Sequence, residues 1–411
     1  MSALTSNRGF QLLFAASAIS NLGDGVSALA FPWLTTLLTR DATLVALVAS
    51  ATRLPWALFA IPAGVIIDRG DRKRMMVQAD LFSLVLTCGV IGLILSRSPL
   101  SIESYPGAYV LALSGFAFLL GSAGVIRDNA AQTVLPSIVE KKDLERANGQ
   151  IWTVEKIMGS FIGPPLAGVL IALAVPAPFL LDAATFGVAA LLIGWIVMPP
   201  RVAVVRRSIQ IELLDGVRWL LGNSTILRLA LMLGFLNALS TMAVTMLILI
   251  SQEILGLSAA RYGTLLIAGA AGGILGGLLG PSIVTRLGNT RTLKIALVLF
   301  PFPYLTIGLS SDPLTVAGAL FVAMFAGLLW NVVTVSYRQR MIPDELLGRV
   351  NSLYRFIGWG MMPIGALAGG WLVAFAEPDI GRAAALRVPY FIAALGSLML
   401  AAYGLLKLRM P

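Results

Sequence analysis

The eleven residues from Gly64 to Arg74 read GVIIDRGDRKR. The last seven of them hold four Lys or Arg residues and two aspartates. Apolar segments flank this cluster on both sides, and so many charges are too costly to bury in lipid. The sequence therefore predicts a short loop between two membrane-spanning helices. Because Lys and Arg accumulate in cytoplasmic loops, this loop is predicted to face the cytoplasm.

The composition is that of a membrane protein. Of 411 residues, 58% are hydrophobic and 12% are charged, whereas soluble domains carry about 25% charged residues. The net charge of +10 lies in short loops between apolar segments and does not indicate nucleic-acid binding. Cys88 is the single cysteine and histidine is absent, so no disulfide, metal site or cofactor site is predicted. A proton carrier in this chain would have to be a carboxylate.

A membrane-spanning helix needs about 20 mostly apolar residues. Twelve such spans are predicted, near residues 10–38, 42–66, 75–97, 105–127, 148–173, 176–198, 225–251, 259–284, 291–311, 314–337, 349–376 and 384–406. The predicted fold class is an all-α membrane protein, and the even number of spans puts both termini on one side. Of the 30 Lys and Arg residues, 22 lie on the side of the Gly64–Arg74 loop and 5 on the other. Both termini are therefore predicted to be cytoplasmic.

The chain also contains an internal repeat. Gln132 and Gln339, each four residues before a proline, are 207 positions apart, and the loop from Asp68 has a weaker echo 217 positions later at Thr285. These matches predict two six-span bundles, residues 1–198 and 225–411. The connection 199–224 is predicted to contain an amphipathic helix on the cytoplasmic face. Duplicated halves of this kind are typical of secondary transporters.

The Gly64–Arg74 loop resembles the signature loop of the major facilitator superfamily. Gly64, Asp68, Arg69, Arg72 and Lys73 match the pattern, whereas Asp71 stands where a second glycine is usual. This departure and several other segments resemble a bacterial branch of macrolide-efflux and enterobactin-export proteins. The resemblance implies two six-helix halves, alternating access and a location in the bacterial inner membrane.

The loop is predicted to act as a conformational latch. A carboxylate at Asp68 can accept hydrogen bonds from the N-terminal amides of a facing helix. The resemblance implies that this helix is span eleven, which begins near Gly348 and Arg349. Arg69, Arg72, Lys73 and Arg127 are expected to complete the network. The alternative is that the loop only anchors the chain at the membrane surface.

A second motif lies in span five. Gly159, Gly163, Pro164 and Gly168 resemble the antiporter motif of the superfamily, with Ala167 replacing one glycine. In the family this motif marks exporters that exchange substrate for protons. Glycines at helical spacing also allow close helix packing, so a plain packing seam is the alternative interpretation.

Ionisable residues inside spans are candidate functional groups. Asp24, near the middle of span one, is the first candidate for a proton-binding carboxylate. Alternatively, hydrogen bonds from a neighbour such as Asn21 hold it as a structural aspartate. Arg53 in span two is expected either to pair with Asp24 or to bind an anionic group of the substrate.

Further charges lie nearer the predicted span ends. Glu155 is a second candidate for a proton or cation site, and alternatively pairs with Lys156 or Arg355. Asp80 is assigned to the cytoplasmic charge network and Asp182 to a cap of span six, and a direct substrate or proton role is the alternative for each. Among the many aromatic residues, the sequence nominates a few cavity-lining candidates: Trp33, Trp56 and Trp330, with the neighbouring Asn331.

The predicted function is therefore a proton-coupled antiporter that exports drug-like or secondary-metabolite amphiphiles. A siderophore or lysophospholipid carrier and a non-transporting membrane sensor are the alternatives. An intramembrane enzyme is not predicted, because histidine is absent and the carboxylates are scattered. No phosphate-binding loop of the Gly-x-x-x-x-Gly-Lys-Ser/Thr type occurs, so ATP is not a direct driver. The expected partners are a small-molecule substrate, protons and the lipid bilayer, and the chain is expected to be a monomer.

Overall fold

A computed structural model describes residues 7–96, 106–198 and 209–408. Within these ranges all regular secondary structure is helical, and twelve helical segments are long and apolar enough to cross a membrane. The prediction of a twelve-span, all-α membrane protein is thus confirmed. Eight spans are single helices: Arg8–Leu38, Ala42–Arg69, Arg72–Leu95, Pro106–Ile138, Ala177–Gly194, Ser224–Glu253, Ala259–Leu287 and Pro313–Met341.

The other four spans are interrupted. Span five consists of the helices Leu144–Lys156 and Gly163–Leu173, joined by a π-helical segment, Ile157–Ile162. Span nine consists of Asn289–Leu299 and Pro301–Leu309, and span eleven consists of Asp344–Gly360 and Met362–Ile380. Span twelve consists of Arg382–Ala385 and Val388–Lys407. In each, the final helix carries a proline at its first or second position. Proline lacks the amide hydrogen that would continue the preceding helix, so it favours a break at these points, although Pro32 and Pro55 lie within uninterrupted helices.

Span four is longer than the sequence suggested. Its predicted end was residue 127, but the helix continues to Ile138. The buried residues Ala130, Val134 and Leu135 continue its apolar face at helical spacing. Arg127 therefore lies within the helix rather than in a cytoplasmic loop.

The two loops related by the repeat start their helices differently. Asp71 is the N-cap of span three, and its carboxylate accepts a hydrogen bond from the Arg74 amide at 3.1 Å. Its counterpart 217 positions later is Gly288, which has a φ of 78° before span nine. A glycine tolerates this left-handed conformation, whereas Asp71 keeps a negative φ and contributes a side-chain cap.

The chain separates into two compact units. The N-terminal unit comprises residues 1–39, 51–206 and 259–264, and the C-terminal unit comprises residues 40–50, 207–258 and 265–411. Each has its own apolar core, with Leu13 and Ile193 fully buried in the first and Trp330 and Tyr354 in the second.

Among the described residues, two short helices lie outside the spans, Lys141–Asp143 and Ile209–Gly222. Ile209–Gly222 belongs to the C-terminal unit and buries Leu220 in its core. An Asp215–Arg349 ion pair of 3.8 Å joins this helix to the start of span eleven.

Candidate functional site

A buried ion pair joins spans three and four of the N-terminal unit. The Arg127 Nε atom lies 2.7 Å from Asp80 Oδ1, and the two residues are 6% and 0% exposed. A weaker contact of 3.6 Å links Arg127 Nη1 to Asp128 Oδ1. Asp80 thus pairs with Arg127, which the sequence placed in the same charge network, and the pair is buried between the two helices. Because a charge buried without a partner is very costly, this pair holds the two helices in one register.

Asp128 was missed by the sequence analysis. It directly follows Arg127, and the predicted end of span four at residue 127 left it in a loop. The apolar positions Ala130 and Val134 were the signal that the helix continues through it.

Asp24 lies near the middle of span one, as predicted. Its side chain is exposed and makes no hydrogen bond or ion pair with any described residue. It interacts electrostatically with Arg127 and with the carboxylates of Asp80, Asp128 and Asp182. Asn21 instead donates from Nδ2 to the Ser17 carbonyl at 2.9 Å, within its own helix. The proposed pairing of Asp24 with Arg53 stays a prediction.

Asp182 is a second carboxylate at membrane depth. It is 1% exposed, and Ser27 Oγ donates to its Oδ2 atom at 2.5 Å. Its Oδ1 atom has no hydrogen-bond partner among the described residues. A Cβ on Gly23 would lie 2.5 Å from that oxygen, so span one approaches it closely. Asp182 thus connects spans one and six and does not cap span six, contrary to expectation.

Glu155 is partly buried in the first helix of span five. It interacts electrostatically with Asp128, Arg127 and Lys156, and no described residue forms an ion pair with it. The Lys156 ammonium group lies 5.5 Å from the centre of the Trp152 ring. In the C-terminal unit, the Arg355 guanidinium lies 5.4 Å from the Trp359 ring. A Glu155–Arg355 pair stays a prediction.

The glycine motif of span five packs against span one. A Cβ on Gly163 would lie 2.6 Å from Gly25 Cα, and one on Gly159 would lie 3.3 Å from the Asn21 carbonyl oxygen. A Cβ on Gly25 would overlap the Gly159 carbonyl. These glycines therefore sit at a backbone-to-backbone contact, as expected of a packing seam.

The rest of this motif distorts span five. The π-helical segment Ile157–Ile162 ends just before Pro164, which cannot donate a backbone hydrogen bond. Gly168 lies against the backbone of Ala259 and Ala260, which belong to the same unit. Short π-helical segments occur frequently at functional sites.

The predicted latch is only partly described. Gly64, Asp68, Arg69 and Gly348 lie outside the described residues apart from their helical backbone. Arg72 donates from Nη1 to the Thr133 carbonyl at 2.7 Å, which ties span three to span four. Arg127 and Arg349 pair with Asp80 and Asp215, as described above. The latch therefore stays a prediction.

A second charged network lies at one end of the C-terminal unit. Arg382 bonds both Glu253 oxygens at 2.9 and 3.1 Å, Glu377 at 3.0 Å and the Arg40 carbonyl at 2.5 Å. Beside it, Asp41 accepts hydrogen bonds from the Thr43 hydroxyl and amide. Burial would raise the pKa of Asp41, but these hydrogen bonds and the charge of Arg382 lower it overall.

The four candidate cavity-lining residues are divided between the two units. The Trp33 ring lies 6.1 Å from that of Tyr262 in the N-terminal unit, and Trp56 packs against its core. Trp330 and Asn331 line a cavity of about 220 Å³ in the C-terminal unit. Spans seven, nine, ten and twelve enclose this cavity.

Known proteins of similar sequence are exporters. A profile of the transmembrane secretion effector family matches residues 2–410. The multidrug efflux pump Tap of Mycobacterium tuberculosis is 28% identical over 386 residues, covering 89% of this chain and 87% of Tap. The enterobactin exporter EntS of Salmonella typhi is 28% identical over 388 residues, covering 92% and 89%.

Solved transporters have the same fold. A bacterial homologue of the human lysosomal transporter Spinster matches with a TM-score of 0.73 and 15% identity, covering 99% of this chain and 97% of its own. The nucleoside transporter NupG matches with a TM-score of 0.70 and 13% identity, covering 98% and 100%. The resemblance inferred from the Gly64–Arg74 loop is thus confirmed.

Proposed function

Because this chain belongs to the transmembrane secretion effector family of the major facilitator superfamily, we propose that it exports amphiphilic small molecules in exchange for protons. It is a multi-pass membrane transporter and not an enzyme. Its export direction is supported by relatives named as a multidrug efflux pump and an enterobactin exporter. We place it in the inner membrane of a bacterium as a monomer, with both termini in the cytoplasm.

One observation supports the proposed proton coupling. In the N-terminal unit, the carboxylates at membrane depth outnumber the cations that form ion pairs with them. Arg127 is committed to Asp80 and Asp128. Asp24 and Asp182 form no ion pair among the described residues. A carboxylate at this depth is costly when charged, so it gains stability by binding a proton.

Asp24 is the coupling carboxylate in this proposal. Other residues do not enclose Asp24 as they enclose Asp182, which Ser27 also holds, so Asp24 is the carboxylate that a change of conformation could open to water. Protonation removes the charge of Asp24, and with it both the attraction to Arg127 and the repulsion from Asp80, Asp128 and Asp182. A conformational change that depends on this charge would then couple substrate release to proton uptake.

The test is transport into proteoliposomes with and without an imposed pH gradient, using ethidium as a probe. We expect the wild-type protein to accumulate ethidium only with the gradient. Asp24→Asn should reduce this accumulation at least about tenfold, within the range for loss of a proton-transfer group. Glu140→Gln is the matched control, because Glu140 is an exposed loop carboxylate paired with Lys142.

Full gradient-driven accumulation by Asp24→Asn would overturn its coupling role. Equal transport with and without the gradient by the wild-type protein would overturn proton exchange itself. A siderophore is a second candidate substrate, because one relative is named as an enterobactin exporter. Replacing ethidium with an iron-free siderophore in the same vesicles tests this alternative.

A further inference from the structure

We propose that the cavity between spans seven, nine, ten and twelve binds a neutral, planar aromatic group that carries a hydrogen-bond acceptor. This inference rests on the proposed export function, because the group would be one part of a transported amphiphile. The whole cavity belongs to the C-terminal unit.

The size of the cavity limits what it can hold. Its volume is about 220 Å³, whereas sites that enclose an entire drug-sized ligand measure about 300–1,000 Å³. One fused ring system fits this space, and the remainder of a larger amphiphile would extend beyond it. The cavity is therefore a subsite for one portion of the substrate.

The lining determines the polarity of the ligand. No described residue that lines the cavity is charged, so a charged group would lose its hydration without gaining a counter-ion. Most of the wall is aliphatic or aromatic, including Phe300, Tyr304 and Met324. Aromatic and Met side chains pack well against flat ring systems. The favoured occupant is thus neutral and planar.

The indole of Trp330 is an unused hydrogen-bond donor among the described residues that line the cavity. Trp330 is 2% exposed, and its indole Nε1–H has no acceptor among the described residues. A buried indole N–H usually has a partner, because leaving it unpaired costs free energy. Two neighbouring polar groups are engaged, since Asn237 donates to the Gly358 carbonyl at 2.8 Å and Ser240 bonds Tyr304. The Trp330 indole, next to the amide of Asn331 that also lines the cavity, is therefore a donor available to a carbonyl or ether oxygen of the ligand.

Two glycines of span ten make a matched pair of variants. Gly327 lines the cavity, and a Cβ added to it would meet no atom within 4 Å. Gly327→Leu therefore places its Cβ in open space, its remaining atoms should occupy the cavity, and it replaces a poor helix former with a good one. Gly318 also has open space around its Cβ position but does not line the cavity. Gly318→Leu is the control on the same helix.

The experiment is calorimetric titration of the purified full-length protein in detergent. The probes are 2-acetylnaphthalene, which carries a carbonyl acceptor, and 2-ethylnaphthalene, which has nearly the same shape without one. We expect Trp330→Phe to weaken binding of 2-acetylnaphthalene about 3- to 12-fold, the range for one neutral hydrogen bond. Binding of 2-ethylnaphthalene should stay within about twofold, because the ring contact is kept.

Gly327→Leu should abolish saturable binding of both probes, and Gly318→Leu should leave both unchanged. Unchanged binding in Gly327→Leu would overturn the site, and an equal loss of both probes in Trp330→Phe would overturn the role of the indole donor.

Binding that is intact in a protein without gradient-driven transport would leave this site standing and remove the proposed function. Gradient-driven transport without saturable probe binding would remove this site and leave the proposed function standing.

Discussion

The two units share one way of packing helices. In the N-terminal unit, Gly159 and Gly163 of span five meet the backbone of span one. In the C-terminal unit, Gly365 and Gly369 of span eleven meet the backbone of span seven. The second pair lies 206 positions after the first. Close backbone contact requires glycine in both units, so these glycines are needed for the fold whether or not they also affect coupling.

The side chains between the packed helices differ sharply. The repeat spacing of 217 relates Asp80 to Leu297, and the spacing of 207 relates Arg127 to Thr334. The N-terminal unit thus has a buried ion pair where the C-terminal unit has an apolar residue and a hydroxyl. Thr334 satisfies its hydroxyl locally by donating to the Trp330 carbonyl at 2.9 Å.

The middle of the first helix of each unit shows the same contrast. Asp24 precedes Gly25, which contacts Gly159, and Asn237 precedes Ala238, which contacts Gly365. The equivalent position therefore carries a carboxylate in one unit and a neutral amide in the other. The comparison shows that close backbone contact constrains the packing of the helices in both units. The side chains between those helices differ in charge and polarity from one unit to the other. Among the described residues, the buried charges Asp80, Arg127 and Asp182 lie in the N-terminal unit, and a neutral aromatic cavity lies in the C-terminal unit.

The largest expected effect comes from breaking the Asp80–Arg127 ion pair of the N-terminal unit, which has no counterpart at the equivalent positions of the C-terminal unit. Arg127→Met leaves Asp80 buried without a cation and should lower the free energy of unfolding by about 3–5 kcal/mol. Thermal unfolding of the purified protein measures this loss. The double variant Asp80→Leu with Arg127→Thr introduces the C-terminal pair and should recover most of the stability. A double variant no more stable than Arg127→Met would contradict the equivalence of these positions.

A smaller effect tests the shared glycine seam. A Cβ on Gly163 would lie 2.6 Å from Gly25 Cα, and one on Gly369 would lie 2.6 Å from the Met242 carbonyl oxygen. Gly163→Ala and Gly369→Ala should therefore each destabilise the protein by about 1–3 kcal/mol through overpacking. The number of protons exchanged per substrate should be unchanged in both. If only Gly163→Ala alters that ratio, the span-five motif has a coupling role that span eleven lacks.

The smallest effect concerns the pH dependence of Asp41. Its pKa is lowered, so its stabilising contribution is complete at neutral pH and is lost only as the pH falls through that lowered pKa. Asp41→Ala should cost about 0.5–2 kcal/mol of stability between pH 5 and 8, the range for loss of a helix cap. This difference should shrink only below about pH 4.

Unfolding midpoints of both proteins across this pH range measure the difference. Asp312→Ala is the control, because Asp312 caps span ten through Thr315 at an exposed site and its pKa is also lowered. A stability difference that changes between pH 5 and 8 would mean that Asp41 titrates with the coupling carboxylates. Charge function would then not be confined to the N-terminal unit.

Much of the site could be predicted because membrane burial penalises every charge. Asp24 and Glu155 were identified in this way, since they interrupt apolar runs. Arg127 was assigned to a loop and Asp128 was missed, because a run of polar residues hides the helical face that Ala130 and Val134 continue. Asp182 was read as a cap, because its bond to Ser27 joins residues 155 positions apart.

The sequence by itself determined the twelve spans, the duplication and the family, because hydropathy and loop charge act locally along the chain. Only the tertiary structure decided which charges are paired. Asp80 and Arg127 are 47 positions apart and meet because spans three and four pack side by side. The cavity beside Trp330 likewise exists only where four helices from distant parts of the chain converge. Pairing and cavities depend on distances between helices, and no local pattern encodes those distances.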